Sequence, residues 1–306
     1  VVAAAGCGGA TATNDDDTGS GGRKGTVNIA INPWVGYEAS AAVIAYLLEH
    51  ELGYTVQKKN LKEEVAWQGF ESGQVDVIVE NWGHPDLKKK YIDERKVAAV
   101  AGSTGNKGVI GWYVPSWMES RYPGITDWRN LNKYASVFRT SESGDKGQLL
   151  FGDPSYVSNE NALIANLKLD FKVVVGGSEA TLIKAAQQSE AQQEPLLFYF
   201  WDPHWLFSKV KLSRVKLPPY TQGCDADPKK VACDYPVMDL DKIVRKGFAD
   251  SNSPAYQLVK NFSWTNADQN GVANDMTNGG MTAEQAAKKW IDANRAKWQP
   301  WLPKNA

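Results

Sequence analysis

Between Thr26 and Glu80 the chain alternates between strand-like and helix-like patterning, and this restricts the possible folds more than any other feature. Thr26 to Ile31, Thr-Val-Asn-Ile-Ala-Ile, alternates and is β-rich, then stops at Asn32-Pro33 just before Trp34. Ser40 to Glu51 reads as a helix that terminates near Gly53. Tyr54 to Lys58 is a second strand, Val65 to Ser72 a short helix, and Val75 to Glu80 a third strand ending at Asn81-Trp82-Gly83-His84-Pro85. Strand, helix, strand, helix, strand predicts a parallel α/β sheet, whose ligands collect beyond the carboxyl ends of the strands. Trp34 and Trp82 stand at two such ends.

Downstream, Gly108 to Pro115 is strand-like and is expected to cross into a second lobe. That lobe would hold a helix from about Asn159 to Leu169, a strand at Lys172 to Val175, a helix at Glu179 to Ser189 and a strand ending at Trp201. After the Pro218-Pro219 break, Leu240 to Gly247, Pro254 to Phe262 and Ala283 to Lys297 read as helices returning to the first lobe. A chain of 306 residues with 42% hydrophobic content can bury cores for two lobes. The expected division is 26–112 and 216–306 for the first lobe, 113–215 for the second, and 1–25 outside both.

Residues 1–9, Val-Val-Ala-Ala-Ala-Gly-Cys-Gly-Gly, look like the end of a signal peptide running into a lipobox whose Cys7 takes a lipid. Thr11 to Gly25 carries no apolar residue beyond alanine and reads as a flexible tether. A soluble domain leashed to the outer face of a bacterial cytoplasmic membrane follows as an expectation. Cys224 and Cys233 bracket a polar loop, and in an exported chain two cysteines this close are expected to pair.

With 34 basic against 35 acidic residues, the chain has no excess field to draw it to nucleic acid. No run of 18 apolar residues is present to span a bilayer. Three His and three Cys, none at ligand spacing, give no metal site, and no cofactor motif is seen. Asp202, His204 and Ser158 raise the thought of an enzyme, but no nucleophile elbow, zinc motif or phosphate loop accompanies them.

The function is read from residues 197–207, Leu-Phe-Tyr-Phe-Trp-Asp-Pro-His-Trp-Leu-Phe, an apolar run that breaks at Pro203 and presents Trp201, His204 and Trp205. Indole faces suit a large soft cation without N–H groups, such as a trimethylammonium. Each desolvated contact is worth up to roughly 2 kcal/mol, so three or four walls supply much of the ~8 kcal/mol of micromolar binding. Trp290, Trp298 and Trp301 fall near helical spacing and are expected to pack the last helix; Trp205 fits pocket and core equally.

Six stretches together resemble the substrate-binding protein of a glycine betaine/proline betaine ABC importer over about residues 26–301. They are Trp34-Val-Gly-Tyr-Glu-Ala-Ser40, Val65-Ala-Trp-Gln-Gly-Phe-Glu-Ser-Gly-Gln-Val-Asp76, Asn81-Trp82, Gly152-Asp-Pro-Ser-Tyr156, Trp201-Asp-Pro-His-Trp205 and Phe262-Ser-Trp264. The resemblance implies a type II periplasmic-binding-protein-like fold, α/β, with two lobes, each a mostly parallel sheet flanked by helices, closing on the ligand in the cleft. It implies a monomer that delivers a compatible solute to a membrane permease. It places Trp34, Trp82 and Trp201 in the aromatic box, with Tyr156 at a position where some members carry Trp. It also implies that the main-chain N–H groups of Val157 and Ser158 hold the ligand's carboxylate, where the family often has glycine. His84 or His204 adds a donor or makes a structural hydrogen bond. Choline, carnitine and other betaines stay open as ligands, with Glu80 and Asp202 candidates for favouring one without a carboxylate. A sugar is the more distant alternative, because tryptophan also stacks on sugars.

Overall fold

The β-branched runs of the sequence pair into one continuous sheet in the computed structural model, which describes residues 24–304. Cys7 and nearly all of the expected tether lie outside the described residues. The strands are β1 Thr26–Ile31, β2 Thr55–Asn60, β3 Val77–Asn81, β4 Ala98–Pro115, β5 Gly147–Phe151, β6 Phe171–Val175, β7 Phe198–Asp202, β8 Leu212–Arg214 and β9 Val237–Arg245. Their order is β2-β1-β3-β9-β4-β7-β5-β6, with β8 on β4. β2, β1 and β3 form one parallel trio, and β7, β5 and β6 another. Antiparallel β9 and β4 join them. Helices cover this mixed sheet, so the architecture is α/β, as the strand–helix alternation predicts.

β4 makes the join possible. Its 18 residues pair first with β9 and then, from Val109 to Tyr113, with β7. Its register shifts between Val100 and Lys107, where Gly102 and Gly105 adopt φ of 98° and 86°. Gly105 is needed there for space as well, since a Cβ would stand 2.4 Å from the Trp264 carbonyl oxygen.

The first helix, α1, runs Val35–His50 and so begins at once after Trp34, five residues before the expected start. Trp34 gives it no side-chain cap. Its first amide donates instead to the Glu179 carboxylate at 3.0 Å, an anion suited to the positive end of a helix. Glu179 opens the helix Glu179–Gln192 beyond β6, so this cap ties the two parallel trios together. α1 buries most of its surface between the sheet and the helices Asn266–Thr277 and Ala283–Ala293. The second helix, α2, is Glu63–Ser72 and stops at Gly73 in the left-handed region.

The expected helix from Leu240 to Gly247 is instead strand β9, and helix begins only at Lys246. Leu240, Lys242 and Val244 alternate along β9, and all are buried. A lysine in that stripe hides the period of two. Its ammonium is held inside by the carbonyls of Lys260, at 3.0 Å, and Phe262. The expected last helix also divides, into Ala283–Ala293 and Arg295–Trp298. The sulfurs of Cys224 and Cys233 are bonded, closing the loop between them.

Candidate functional site

β1 and β3 run toward the middle of β4 from one side and β5 and β7 from the other, so that their carboxyl ends face one another where the chain leaves each strand. β1 leads through Asn32-Pro33 to Trp34, β3 to Trp82, and β5 to the loop carrying Tyr156; Trp201 lies in β7 one residue from its end. These four rings, with Val157, Tyr199, Ile110 and Glu63, line a cavity of about 270 Å³.

The walls meet edge to face. Tyr156 stands 5.9 Å from Trp34 and 5.4 Å from Trp201 by ring centroids, at 85° and 77°. Tyr199 stacks behind Tyr156 at 6.3 Å. The Tyr156 hydroxyl donates to the Pro33 carbonyl at 2.8 Å, so a wall from one trio is fastened to the other.

Glu80 lies behind the walls of the first trio, 1% exposed. The indole N–H groups of Trp34 and Trp82 both donate to its Oε1, at 2.9 and 2.8 Å. Its Oε2 accepts from the Ser40 hydroxyl at 3.3 Å and from the Gln269 amide. Burial pushes the Glu80 pKa up, against the hydrogen bonds from Trp34, Trp82, Gln269 and Ser40. Glu80 therefore faces the backs of the rings rather than the cavity, and Asp202 does not line the cavity either.

The acid that does line it is Glu63, at the start of α2. Its Oε2 lies 2.5 Å from His84 Nε2. Burial alone would lower the His84 pKa, but the hydrogen bond and charge of Glu63 outweigh it and raise the value. His84 itself sits in the left-handed region, φ 48°, just after the Trp82 turn.

The other predicted site residues are placed as follows. Val157 is in the lining, while Ser158 is exposed and its hydroxyl donates to Glu160 at 2.6 Å. Neither main-chain amide, Val157 or Ser158, donates to a protein acceptor among the described residues. His204 does not line the cavity; its Nε2 meets Glu179 at 3.0 Å and its Nδ1 accepts from the Leu206 amide. Trp205 is 2% exposed and packs beside His204, outside the lining. No cluster of potential metal ligands occurs among the described residues.

Three lining residues were not anticipated. Tyr199 is two residues before Trp201 on one strand, so the period of two placed it on the same face. Glu63 follows the end of β2, the same kind of position that singled out Trp34. Ile110 is opposite Trp201 in the β4–β7 register and gives no local signal.

Residues 25–293 match the family model of the substrate binding domain of ABC-type glycine betaine transport systems. The glycine betaine/carnitine transport binding protein GbuC of Listeria monocytogenes is 33% identical over 124 residues, 40% of this chain and 37% of that protein. The trimethylamine N-oxide-binding protein of Pelagibacter ubique is 24% identical over 287 residues, 91% of each chain. The structure of lactococcal OpuAC, closed and complexed with glycine betaine, superposes with a TM-score of 0.69 at 27% identity. It covers 92% of this chain and all of that one, 100%.

Proposed function

The chain belongs to the family of substrate-binding domains of ABC-type glycine betaine transport systems, and we propose that it captures a quaternary-ammonium compatible solute in the cage of Trp34, Trp82, Tyr156 and Trp201. The family is one of transport proteins, not enzymes, and its members serve an importer's permease from outside the cytoplasm. The observation that carries the reading is the convergence of four aromatic rings, two from each parallel trio, on one cavity. A trimethylammonium fits such walls because its charge is diffuse and it has no N–H to satisfy.

Glycine betaine is the ligand we favour. The unpartnered amides of Val157 and Ser158, next to the Tyr156 wall, offer donors to its carboxylate, each charge-assisted bond being worth about 1.5–3 kcal/mol. A second reading, a cation without a carboxylate such as choline, is favoured by Glu63, whose carboxylate lines the cavity. Calorimetry on the purified protein with glycine betaine, choline, carnitine and glucose tests both. Glycine betaine should bind best, at least a hundredfold tighter than choline. Choline equal or tighter would move the determinant to Glu63, and no binding by any methylated ammonium would end the cage reading.

Two lobes, 26–112 with 216–306 against 113–215, would close on the solute about β4 and the return past Pro218-Pro219. Small-angle scattering should show compaction on binding. Lipidation at Cys7 would hold the protein at the outer face of the membrane, as a monomer beside its permease; labelled fatty acid should enter the wild type and not Cys7→Ser.

A further inference from the structure

We propose that Glu80 is a positioning and charge-tuning residue of the cage, a buried anion that strengthens the hold of Trp34 and Trp82 on a cation it does not touch. This rests on the aromatic-cage reading above. Both indole N–H groups converge on a single carboxylate oxygen. Such a donation draws each proton toward the anion and pushes electron density back into the ring, so the face turned to the cavity becomes more negative.

The surroundings of Glu80 point the same way. The four side chains that hold it, two indoles, a hydroxyl and an amide, are all neutral. A buried carboxylate normally finds a lysine or arginine, because an unpaired charge in a low dielectric is costly. None pairs with Glu80 among the described residues, and a ligand ammonium between the two rings would be the missing opposite charge. The bracing comes from three separate elements: β3 carries Glu80, α1 carries Ser40, and the helix Asn266–Thr277 carries Gln269. Gln269 gives this arrangement a further use, since its Oε1 has no partner while its Nε2 reaches Glu80, Gly36 and Ser40.

Glu80→Gln is the probe. The new amide oxygen can still accept from both indoles, and its nitrogen can donate to the oxygen of a turned Gln269, which then gives up its bond to the Gly36 carbonyl. Calorimetry with glycine betaine and with choline, both carrying a trimethylammonium, measures the cation's hold. Indole N–H signals in a nitrogen-15 tryptophan spectrum report whether Trp34 and Trp82 stay ordered. We expect Glu80→Gln to keep two sharp indole signals, shifted upfield, while binding whichever of the two probes the wild type binds at least tenfold more weakly. Unchanged affinity would overturn the proposal. So would the loss of those signals together with affinity, which would make Glu80 a scaffold alone. If Glu80→Gln does not fold, Trp82→Phe keeps a ring in the wall but removes its link to Glu80. It should lose affinity at least fivefold, and no loss would be equally fatal. A wild type that binds neither probe would reject the cage itself, a result distinct from a wild type and Glu80→Gln that bind alike.

Discussion

Around Trp290 indole rings meet other rings, whereas Trp201, which also stacks on Phe200 at 4.8 Å, lines a cavity as well. In the C-terminal cluster Trp290 stacks on Trp301 at 5.9 Å, Trp264 meets Trp290 edge to face at 5.4 Å, and Phe262 meets Trp301 at 4.9 Å. Trp290 is thereby packed against two other indoles and is not among the residues that line the cavity. In the cage Tyr156 meets Trp34 and Trp201 edge to face, and all three rings line the cavity. The polar ends are treated alike: Trp290 and Trp264 donate to Asp268 and Asn106, as Trp34 and Trp82 donate to Glu80. A tryptophan's role is thus decided by whether it borders a cavity, not by its burial or its hydrogen bond. Trp34 is 6% exposed and Trp290 8%, which does not separate them.

The comparison breaks first at Trp290. Trp290→Ala should lower the unfolding free energy by about 3–5 kcal/mol, the usual cost of removing a packed tryptophan, as read from urea midpoints. Ligand affinity of the folded protein should stay within about twofold, since Trp290 and the cavity lining share no direct partner. A large affinity loss with little change in stability would put Trp290 in the site.

Trp201→Ala should do the reverse. Losing one desolvated cation–π wall, about 2 kcal/mol, weakens binding roughly thirtyfold. Stability should fall less than in Trp290→Ala, because this ring already borders a cavity and its N–H has no partner among the described residues. Calorimetry and urea midpoints on the same samples make the pair a double dissociation.

Tyr156→Phe keeps the wall but deletes the bond to the Pro33 carbonyl that joins the two trios. A net hydrogen bond of about 0.5–1.5 kcal/mol predicts affinity roughly two- to tenfold weaker. Affinity as in wild type would mean that the ring alone, and not its tie across the sheet, matters.

The smallest effect expected is a pH slope confined to the cage. His84 has a raised pKa through Glu63, so the stability it contributes is fully present below the unfolded value near 6.5 and is lost as pH rises through its folded value. Urea midpoints of the ligand-free protein should therefore decline from about pH 6.5 upward more steeply than those of His84→Gln. Parallel curves would remove the Glu63–His84 pair from the account.

Much of the first trio was legible. β1, α1, β2, α2 and β3 follow from local period and breakers, and the strand-end rule picked out Trp34 and Trp82. β9 was not, because Lys242 breaks its apolar stripe and only the distant Lys260 and Phe262 carbonyls explain why a lysine is there. Glu63 and Tyr199 carried signals of the kind already in use, a strand end and a period of two. His204 carried none that separated its two readings; its partner, Glu179, is 25 residues away in sequence.

The sequence by itself determined the order of strands and helices from β1 to β3 and put an aromatic residue at or just past the ends of three strands, since these depend on neighbours a few residues apart. Only the tertiary structure decided which rings would stand around a void and which acid would stand behind them. Trp34 reaches Glu80 across 46 residues and Gln269 reaches it across 189. The surroundings of a ring and the charge of a buried carboxylate answer to whatever the fold brings within a few ångströms, and no local period in the chain encodes that.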